Sequence, residues 1–147
     1  MIKKILNKIR GRKTDVMSFR QGYDLTELPI ITLYQGDKKL NFLLDTGSNN
    51  SIIDKSVIKD LEYKTTESQS DLSGLGAVKT RVPIYEVTLN HDDQYYTYQY
   101  LIADMKGPFD DIKNSTGVAL HGILGSKFFD EFRYVLDFVK MVAYSKK

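Results

Sequence analysis

The spacing of apolar and polar residues along this chain predicts a series of β-strands. Leu40, Phe42 and Leu44 alternate with Lys39 and Asn41, which is the period-2 pattern of a pleated strand. Ten tyrosines and seven phenylalanines also favour strands. The pattern predicts an all-β domain. Further strands are predicted by alternating or wholly apolar stretches at residues 29–34, 51–53, 82–89, 95–102, 134–139 and 141–145.

The remaining segments are predicted to be turns, short helices or connections. Hairpin turns are expected at residues 35–38 and 90–93, where turn-forming residues separate two strand patterns. Asp54 is placed to cap a helical turn at residues 55–61, and a second short helix is expected at residues 127–132. Residues 17–27, 62–71 and 107–116 are polar and are interpreted as a connector or edge segment, a surface loop and an acidic connection.

One face of the predicted strand at residues 95–102 carries Tyr96, Tyr98 and Tyr100. These three side chains lie together because alternate residues of a strand share a face. Tyrosines in this arrangement pack in a core or an interface more often than they stack on nucleic-acid bases. We therefore interpret them as packing residues.

One carboxylate interrupts the apolar pattern at the end of a predicted strand. Asp45 follows Leu43 and Leu44 and is followed by Thr46 and a glycine. An acid directly after two leucines is costly to bury unless it is hydrogen-bonded, paired or protonated. An ordinary Asx turn that closes a hairpin would explain the placement structurally. A carboxylate aimed by a stiff strand for chemistry would explain it functionally.

A second glycine-containing stretch lies late in the chain, at residues 121–129. It reads His-Gly-Ile-Leu-Gly-Ser-Lys-Phe-Phe, a short apolar strand pattern followed by a segment that can turn helical. Together with Leu-Leu-Asp-Thr-Gly-Ser at residues 43–48, it resembles the retropepsin-like aspartic proteases, over residues 28–147. The resemblance implies a closed or partly open all-β barrel of the retropepsin-like acid protease type, with a flap hairpin and one or two short helices.

The resemblance also implies roles for individual residues. Asp45 is expected to be the catalytic acid, Thr46 to hydrogen-bond across a dimer beneath two such acids, and the carbonyl of Gly47 to accept a substrate N–H. Ser48 is expected to place a hydroxyl beside the acid, which would favour the ionised form and a more acidic pH optimum. The flap is expected at Gly74, Leu75, Gly76, Ala77 and Val78, which could equally be a glycine-rich surface turn, and the substrate pocket at Ile123, Leu124 and Gly125.

The chain is long enough for one such domain and carries one Asp-Thr-Gly turn. Peptide hydrolysis without a metal or a covalent nucleophile needs a base and an acid, and two carboxylates about 3 Å apart can share one proton and supply both. Because each chain supplies one acid, we predict a homodimer in which Asp45 meets its copy at a two-fold axis. Asn49 and Ser126 replace a charged pair typical of viral members, which leaves the dimer geometry open. Residues 141–145 are expected to join an intermolecular sheet.

Charge divides the chain into a basic arm at residues 1–20 and a protease-like domain at residues 21–147. The net charge is +2, yet the first twenty residues contain seven lysines and arginines and one aspartate. Apolar residues at 2, 5, 6 and 9 have the spacing of an amphipathic helix. Residues 2–13 are therefore compatible with weak contact to an anionic membrane surface or a partner. A frayed tail, or a helix packed on its own domain, would explain the pattern equally.

Composition argues against several other kinds of chemistry. The chain has no cysteine, so disulfides and a thiol nucleophile are excluded. Two histidines without a metal-ligand motif predict no metal and no cofactor, and His121 is expected to pack or hydrogen-bond.

No nucleic-acid motif follows the arm. No apolar run reaches the roughly 20 residues of a membrane span, and no signal peptide is evident, so a soluble cytoplasmic protein is expected.

Two functions follow from these observations. The first is an aspartic endopeptidase that holds a peptide in extended form and hydrolyses it with a dyad shared by a homodimer. The alternative is a catalytically inactive retropepsin-like module for dimerisation or peptide binding, because a fold does not guarantee an activity. The intact Asp45-Thr46-Gly47 sequence favours the enzyme.

Overall fold

The computed structural model describes residues 18–73 and 79–147. The strands in these ranges are β1 (Ile30–Gln35), β2 (Lys38–Asp45), β3 (Ile52–Asp54), β4 (Lys64–Ser73), β5 (Lys79–His91), β6 (Gln94–Ala103), β7 (Gly122–Gly125), β8 (Tyr134–Asp137) and β9 (Val142–Ser145). The helices are α1 (Phe19–Thr26), α2 (Lys55–Ile58), α3 (Lys106–Thr116) and α4 (Ser126–Glu131).

Six of the strands close into a barrel, which confirms the predicted all-β architecture. The strands follow one another in the order β1-β2-β7-β3-β6-β5, and the pairing of Tyr34 with Asn90 joins β5 back to β1. The β2–β7 and β3–β6 pairs are parallel, and the other neighbours are antiparallel. Strand β4 pairs with β5 outside this ring.

The surface loop predicted at residues 62–71 is wrong, because most of this segment belongs to β4. The strand runs antiparallel to β5, with an irregularity between Thr65 and Gln69. Most of its side chains are exposed, as expected for a strand at the edge of the sheet. Since neither face is covered by a core, the segment has no alternation of apolar and polar residues that would have revealed it.

Two of the predicted connections are also wrong, because α1 and α3 form there. At the start of α1 the Ser18 hydroxyl accepts the Gln21 N–H at 3.2 Å, and the Gln21 side chain returns to the Ser18 N–H in a capping box. Helix α3 ends at Gly117, which adopts the left-handed conformation common after a helix. With α2 and α4, the described residues contain four helices where one or two were expected.

Two groups of buried side chains lie on opposite faces of the sheet. The first fills the barrel and includes Phe42, Tyr100, Leu124 and Phe128, all of them fully buried. This confirms that the tyrosine face of β6 is a packing surface. The second group lies outside the barrel and is covered by α3 through Phe109. It includes Ile30, Ile52, Leu101, Val118, Leu120 and Ile123.

The C-terminal strands form the predicted hairpin, a separate two-stranded sheet of β8 and β9. Phe138, in the turn between them, contacts the rings of Phe19 and Tyr23 at centroid distances of 5.2 and 6.1 Å. The apolar residues Val139, Val142 and Tyr144 of the hairpin are exposed. Helix α1 thus contacts the tip of the hairpin while much of the hairpin's apolar surface faces solvent.

The basic arm falls almost wholly outside the residues that the structure describes. The amphipathic helix indicated by residues 2, 5, 6 and 9 and the surface contact of residues 2–13 therefore remain predictions. The domain boundary predicted at residue 20 also remains a prediction, and it falls within α1. In residues 18–73 and 79–147 we find no helix with the length and apolarity needed to cross a membrane.

Candidate active site

Strand β2 places Asp45 at one end of the barrel. Leu40, Phe42 and Leu44 point into the core and are at most 3% exposed, so the direction of the strand is fixed by its buried face. Asp45 is the last residue of the strand and pairs with Gly125 of β7. Its side chain is half-buried, so the strand delivers a carboxylate to the surface instead of enclosing it.

The turn after β2 is organised around the carboxylate. The Gly47 N–H donates to Asp45 Oδ1 at 3.0 Å, and the Ser48 N–H donates to the Asp45 carbonyl at 3.2 Å. Thr46 and Gly47 are exposed beside the acid. Among the residues that the structure describes, the Gly47 N–H alone donates to the carboxylate, whose partial exposure leaves it open to another group.

The Ser48 hydroxyl does not take the position expected from the sequence. It donates to the Asn50 carbonyl at 2.8 Å and not to the Asp45 carboxylate. The hydroxyl therefore stabilises the turn through a hydrogen bond between two of the turn's own residues. The expected shift of the pH optimum by a donor on the carboxylate therefore loses its structural basis.

The late glycine motif lies directly against this turn. A Cβ atom on Gly125 would lie 2.6 Å from the Ser48 carbonyl oxygen and 2.5 Å from that of Asn50, closer than such atoms can approach. The Ser126 N–H donates to the Ser48 carbonyl at 2.7 Å, and the Gly125 N–H donates to Ser51 Oγ at 2.9 Å. Glycine at position 125 allows β7 to hold the turn that carries Asp45.

The three residues expected to form a substrate pocket have different surroundings. Leu124 is fully buried inside the barrel. Its assignment to a pocket is wrong, because alternate residues of β7 face opposite sides and Leu124 faces inward. Ile123 faces the other side and is 9% exposed. Gly125 lies beneath the turn. Ile123 and Gly125 remain predicted to form the pocket floor.

The other predicted site residues are only partly reached by the structure. Gly74, Leu75, Gly76, Ala77 and Val78, the expected flap, lie outside the described residues. Strands β4 and β5, which precede and follow them, are paired up to Ser73 and Lys79. Asn49, which stands where viral members carry an acid, is exposed.

A second aspartate, which the sequence pattern marked only as a helix cap, has a more enclosed position. Asp54 is 8% exposed at the end of β3. The Met105 N–H donates to its Oδ1 at 2.8 Å and the Ser56 hydroxyl to its Oδ2 at 2.5 Å. Asp54 does precede α2, but its side chain makes no capping hydrogen bond to that helix. The carboxylate joins β3 to the start of α3, a contact between residues far apart in the sequence.

His121 is a hydrogen-bonding residue, as expected. Its Nδ1 accepts the Asn41 N–H at 2.8 Å, so the neutral ring carries its proton on Nε2. Burial lowers the pKa of His121, the nearby charge of Asp54 opposes this effect, and Lys113 adds to it. The Asn41 side chain also donates to the Ala119 carbonyl at 2.9 Å. These contacts fasten the segment before β7 to β2, the strand that carries Asp45.

The largest of the described cavities lies at Asp54 and His121, away from Asp45. It has a volume of about 630 Å³, and its walls contain three aspartates and three lysines. One of each, Asp110 and Lys106, form an ion pair at 2.5 Å. Among the described residues, no group of three or more potential ligands is arranged to hold a metal ion.

The sequence matches the family model of the aspartyl proteases over residues 31–128, so the chain belongs to that family. A structure with the same fold is the retroviral protease-like domain of Ddi1 from Leishmania major. It is 11% identical with a TM-score of 0.56, and the match covers 82% of this chain and 89% of that one. The retropepsin-like fold expected from the sequence is therefore confirmed.

EIAV protease in complex with the inhibitor HBY-793 also aligns with the structure. It is 23% identical with a TM-score of 0.47, and the match covers 74% of this chain and 91% of that one. A search of curated proteins gives no match.

Proposed function

We propose that this chain is an aspartic endopeptidase whose two catalytic carboxylates come from the Asp45 residues of two identical subunits. The observation that supports this most directly is the position of Asp45. It is held by the Gly47 N–H at 3.0 Å at the end of a strand, and it is half-exposed beside the exposed Thr46 and Gly47. Membership of the aspartyl protease family supplies the reaction class.

The chemistry requires a second carboxylate. Two carboxylates about 3 Å apart cannot both be ionised, so the pair holds one proton. The charged member takes a proton from water while the protonated member donates its proton to the oxygen of the scissile carbonyl. The water oxygen then forms a bond to the carbonyl carbon. Titration of the dyad belongs to the pair, so neither copy has a pKa of its own.

Breakdown of this tetrahedral species completes the reaction. A proton passes from the dyad to the amide nitrogen, the carbon–nitrogen bond breaks, and a hydroxyl proton returns to a carboxylate. The products are a carboxylic acid and an amine, and the dyad again holds one proton. No metal or other cofactor takes part in these steps.

Neighbouring residues supply positioning in this proposal. Thr46, exposed beside Asp45, hydrogen-bonds to the partner turn beneath the dyad. Gly47 presents its carbonyl to a substrate N–H, and Ile123 contributes apolar surface beside the scissile bond. Gly74, Leu75, Gly76, Ala77 and Val78 act as the flap that covers an extended peptide.

The C-terminal hairpin is the proposed dimer contact. Strand β9 lies at the edge of a two-stranded sheet, and Val142 and Tyr144 on it are 41% and 40% exposed. A two-stranded sheet alone is marginal in stability. Pairing of β9 with its copy would give a four-stranded sheet and bury these side chains.

Mixing of subunits tests the shared site directly. Purified wild-type protein is assayed on an unfolded protein substrate, alone and with an increasing excess of Asp45→Asn protein. If each active site uses one Asp45 from each subunit, a tenfold excess should reduce the activity to about one-tenth as subunits exchange. The same excess of Asp93→Asn protein, altered in an exposed turn, is the matched control.

Three results would contradict the proposal. Activity that is unaffected by excess Asp45→Asn protein would show that sites are not shared. A protein that remains monomeric by analytical ultracentrifugation while it digests substrate would exclude the dyad. Peptide binding without any cleavage would favour the alternative, a retropepsin-like binding or dimerisation module.

A further inference from the structure

A hollow beside the turn that carries Asp45 has a composition suited to one kind of side chain. Its volume is about 380 Å³, within the range of small binding pockets. We call it the acidic hollow. Its walls include Asn50, Ile84, Glu86, Gln99, Leu101 and Glu131.

The hollow adjoins the candidate active site through the backbone. Asn50 is the residue whose carbonyl accepts the Ser48 hydroxyl in the Asp45 turn. The carbonyl of the next residue, Ser51, accepts the Leu101 N–H of β6 at 2.9 Å. The end of the turn is thus fastened to the strand that forms one wall of the hollow. The hollow and Asp45 therefore share one turn, through Asn50.

The lining changes from apolar to acidic along β5 and β6. Ile84 pairs with Leu101, and Glu86 pairs with Gln99 two residues further along. Cross-strand partners lie side by side on one face, so an apolar pair is followed by a polar pair about 7 Å away. Ile84 and Leu101 belong to the same apolar group as Ile123, so this end of the hollow continues the predicted pocket floor.

Charge in the hollow is of one sign. Among the described residues that line it, Glu86 and Glu131 are charged, and none is a lysine or arginine. Burial and, secondly, the charge of Glu131 raise the pKa of Tyr98, another lining residue. Lys64 of β4 is also a cross-strand partner of Glu86, on the side away from Gln99; it does not line the acidic hollow, although it and Glu86 both line a neighbouring cavity.

We propose that the acidic hollow accepts a lysine or arginine side chain of the bound polypeptide, and that Glu86 and Glu131 are specificity-determining residues. A lysine or arginine has an aliphatic stem and a charged end. The stem would lie against Ile84 and Leu101 while the charged end meets the two carboxylates. This inference rests on the proposed function, because it assumes that an extended polypeptide occupies the site at Asp45.

A peptide library with one residue varied at a time tests the proposal. Wild-type enzyme should prefer Lys and Arg over Met and Gln at one position at a fixed distance from the cleaved bond. In Glu86→Gln/Glu131→Gln enzyme, this preference should fall by roughly three- to tenfold, since partly exposed charge pairs contribute modestly. Cleavage of peptides that have Met at that position should change much less than cleavage of the Lys and Arg peptides.

Two further variants make the result specific. Glu67→Gln/Asp93→Asn changes the net charge equally at two residues outside the hollow, and it should retain the wild-type preference. Glu131→Lys places one lysine beside Glu86, so the two charges in the hollow cancel and the preference for a basic residue should be lost at that position. The proposal is overturned if wild type shows no preference for a basic residue at any position. It is also overturned if the preference survives in Glu86→Gln/Glu131→Gln enzyme.

Binding measurements separate this proposal from the proposed function. If the wild-type protein cleaves no peptide, the same library is measured for binding by fluorescence anisotropy. Tighter binding of Lys and Arg peptides that is lost in Glu86→Gln/Glu131→Gln protein would support the hollow while the enzyme proposal fails. Cleavage without a basic preference would leave the enzyme proposal standing and reject the hollow.

Discussion

Asp45 and Asp54 are each the last residue of a barrel strand, but their carboxylates are used differently. Asp54 is 8% exposed, and both of its oxygens accept hydrogen bonds, from the Met105 N–H and the Ser56 hydroxyl. Asp45 is half-buried, and within residues 18–73 and 79–147 its carboxylate accepts the Gly47 N–H on one oxygen only. An aspartate whose two oxygens are both engaged joins parts of the fold, whereas one with an oxygen left is available to a substrate or a partner.

The position of the cavity of about 630 Å³ would select Asp54, whereas exposure and hydrogen bonding select Asp45 as the available acid. The cavity of about 630 Å³ lies at Asp54, where the acid is already occupied. The site at Asp45 would be completed by a second subunit and by the residues expected to form a flap. In the proposed dimer, where two copies assemble the site, the cavity at Asp54 is therefore a poor guide to the chemistry.

The largest expected effect is that of Asp45→Asn. The variant should lose peptidase activity by at least about 1,000-fold, because an amide cannot exchange a proton as the dyad requires. Its free energy of unfolding should change by less than about 1 kcal/mol, since the amide oxygen can still accept the Gly47 N–H. Peptide hydrolysis and urea denaturation measure the two quantities. A large loss of stability would place Asp45 with Asp54 as a structural acid.

Asp54→Asn should show the reverse behaviour. The amide offers one acceptor oxygen where the Met105 N–H and the Ser56 hydroxyl use two, so the free energy of unfolding should fall by about 2 kcal/mol. The activity per folded molecule should remain near that of wild type. Urea denaturation, combined with an assay under conditions where the variant is folded, provides the measurement. Unchanged stability would show that these two hydrogen bonds contribute little.

The lowered pKa of His121 predicts that the free energy of unfolding depends on pH near neutrality. Because burial lowers its pKa, the unfolded chain binds a proton on this residue more readily than the folded chain does. Its contribution to the free energy of unfolding should therefore be present above 6.5, the ordinary pKa of histidine, and decline as the pH falls below that value. Protonation at Nδ1 would also displace the Asn41 N–H.

His121→Asn provides the control for that pH dependence. The asparagine oxygen can accept the Asn41 N–H and does not titrate. Denaturation between pH 7 and about 5.5, where few carboxyl groups titrate, should show a smaller decline for the variant than for wild type. Equal declines in both proteins would show that another group is responsible.

The smallest expected effect is that of Ser48→Ala. Removal of the hydroxyl that donates to the Asn50 carbonyl should lower the free energy of unfolding by about 1 kcal/mol. The pH–rate profile should stay in place, because the hydroxyl does not reach the Asp45 carboxylate in this structure. A profile that moves to higher pH would restore the role first expected from the sequence.

The sequence predicted the parts of the fold whose residues face a core. Strand β2, the β5–β6 hairpin, the strand and helix of the late glycine motif and the C-terminal hairpin all have apolar faces that show in the spacing. Strand β4 could not be found in this way, since it lies at an edge and is mostly exposed. Helix α1 was missed despite a visible signal, the capping pair of Ser18 and Gln21.

Some features of the candidate site could likewise be predicted from the sequence, and others could not. Two motifs taken together identified Asp45 as the candidate acid, but the pairing of Asp45 with Gly125 was not predicted and is seen in the structure. The contact between Asp54 and the Met105 N–H could not be predicted, because it depends on how β3 and α3 pack. The acidic hollow likewise depends on strand register, which brings Glu86 beside Gln99. Local pattern thus located the acid, and tertiary packing created its surroundings.

The barrel closes without β4. The free energy needed to open the strand hydrogen bonds should therefore differ between the six-stranded ring and β4. Amide hydrogens on the ring of six strands can exchange with solvent only when a large part of the core separates. Those on β4 and on β5 before Ile84, where β5 pairs with β4 alone, can exchange while the ring stays intact. Strand β4 and the start of β5 can therefore open to solvent at little cost to the stability of the six-stranded barrel.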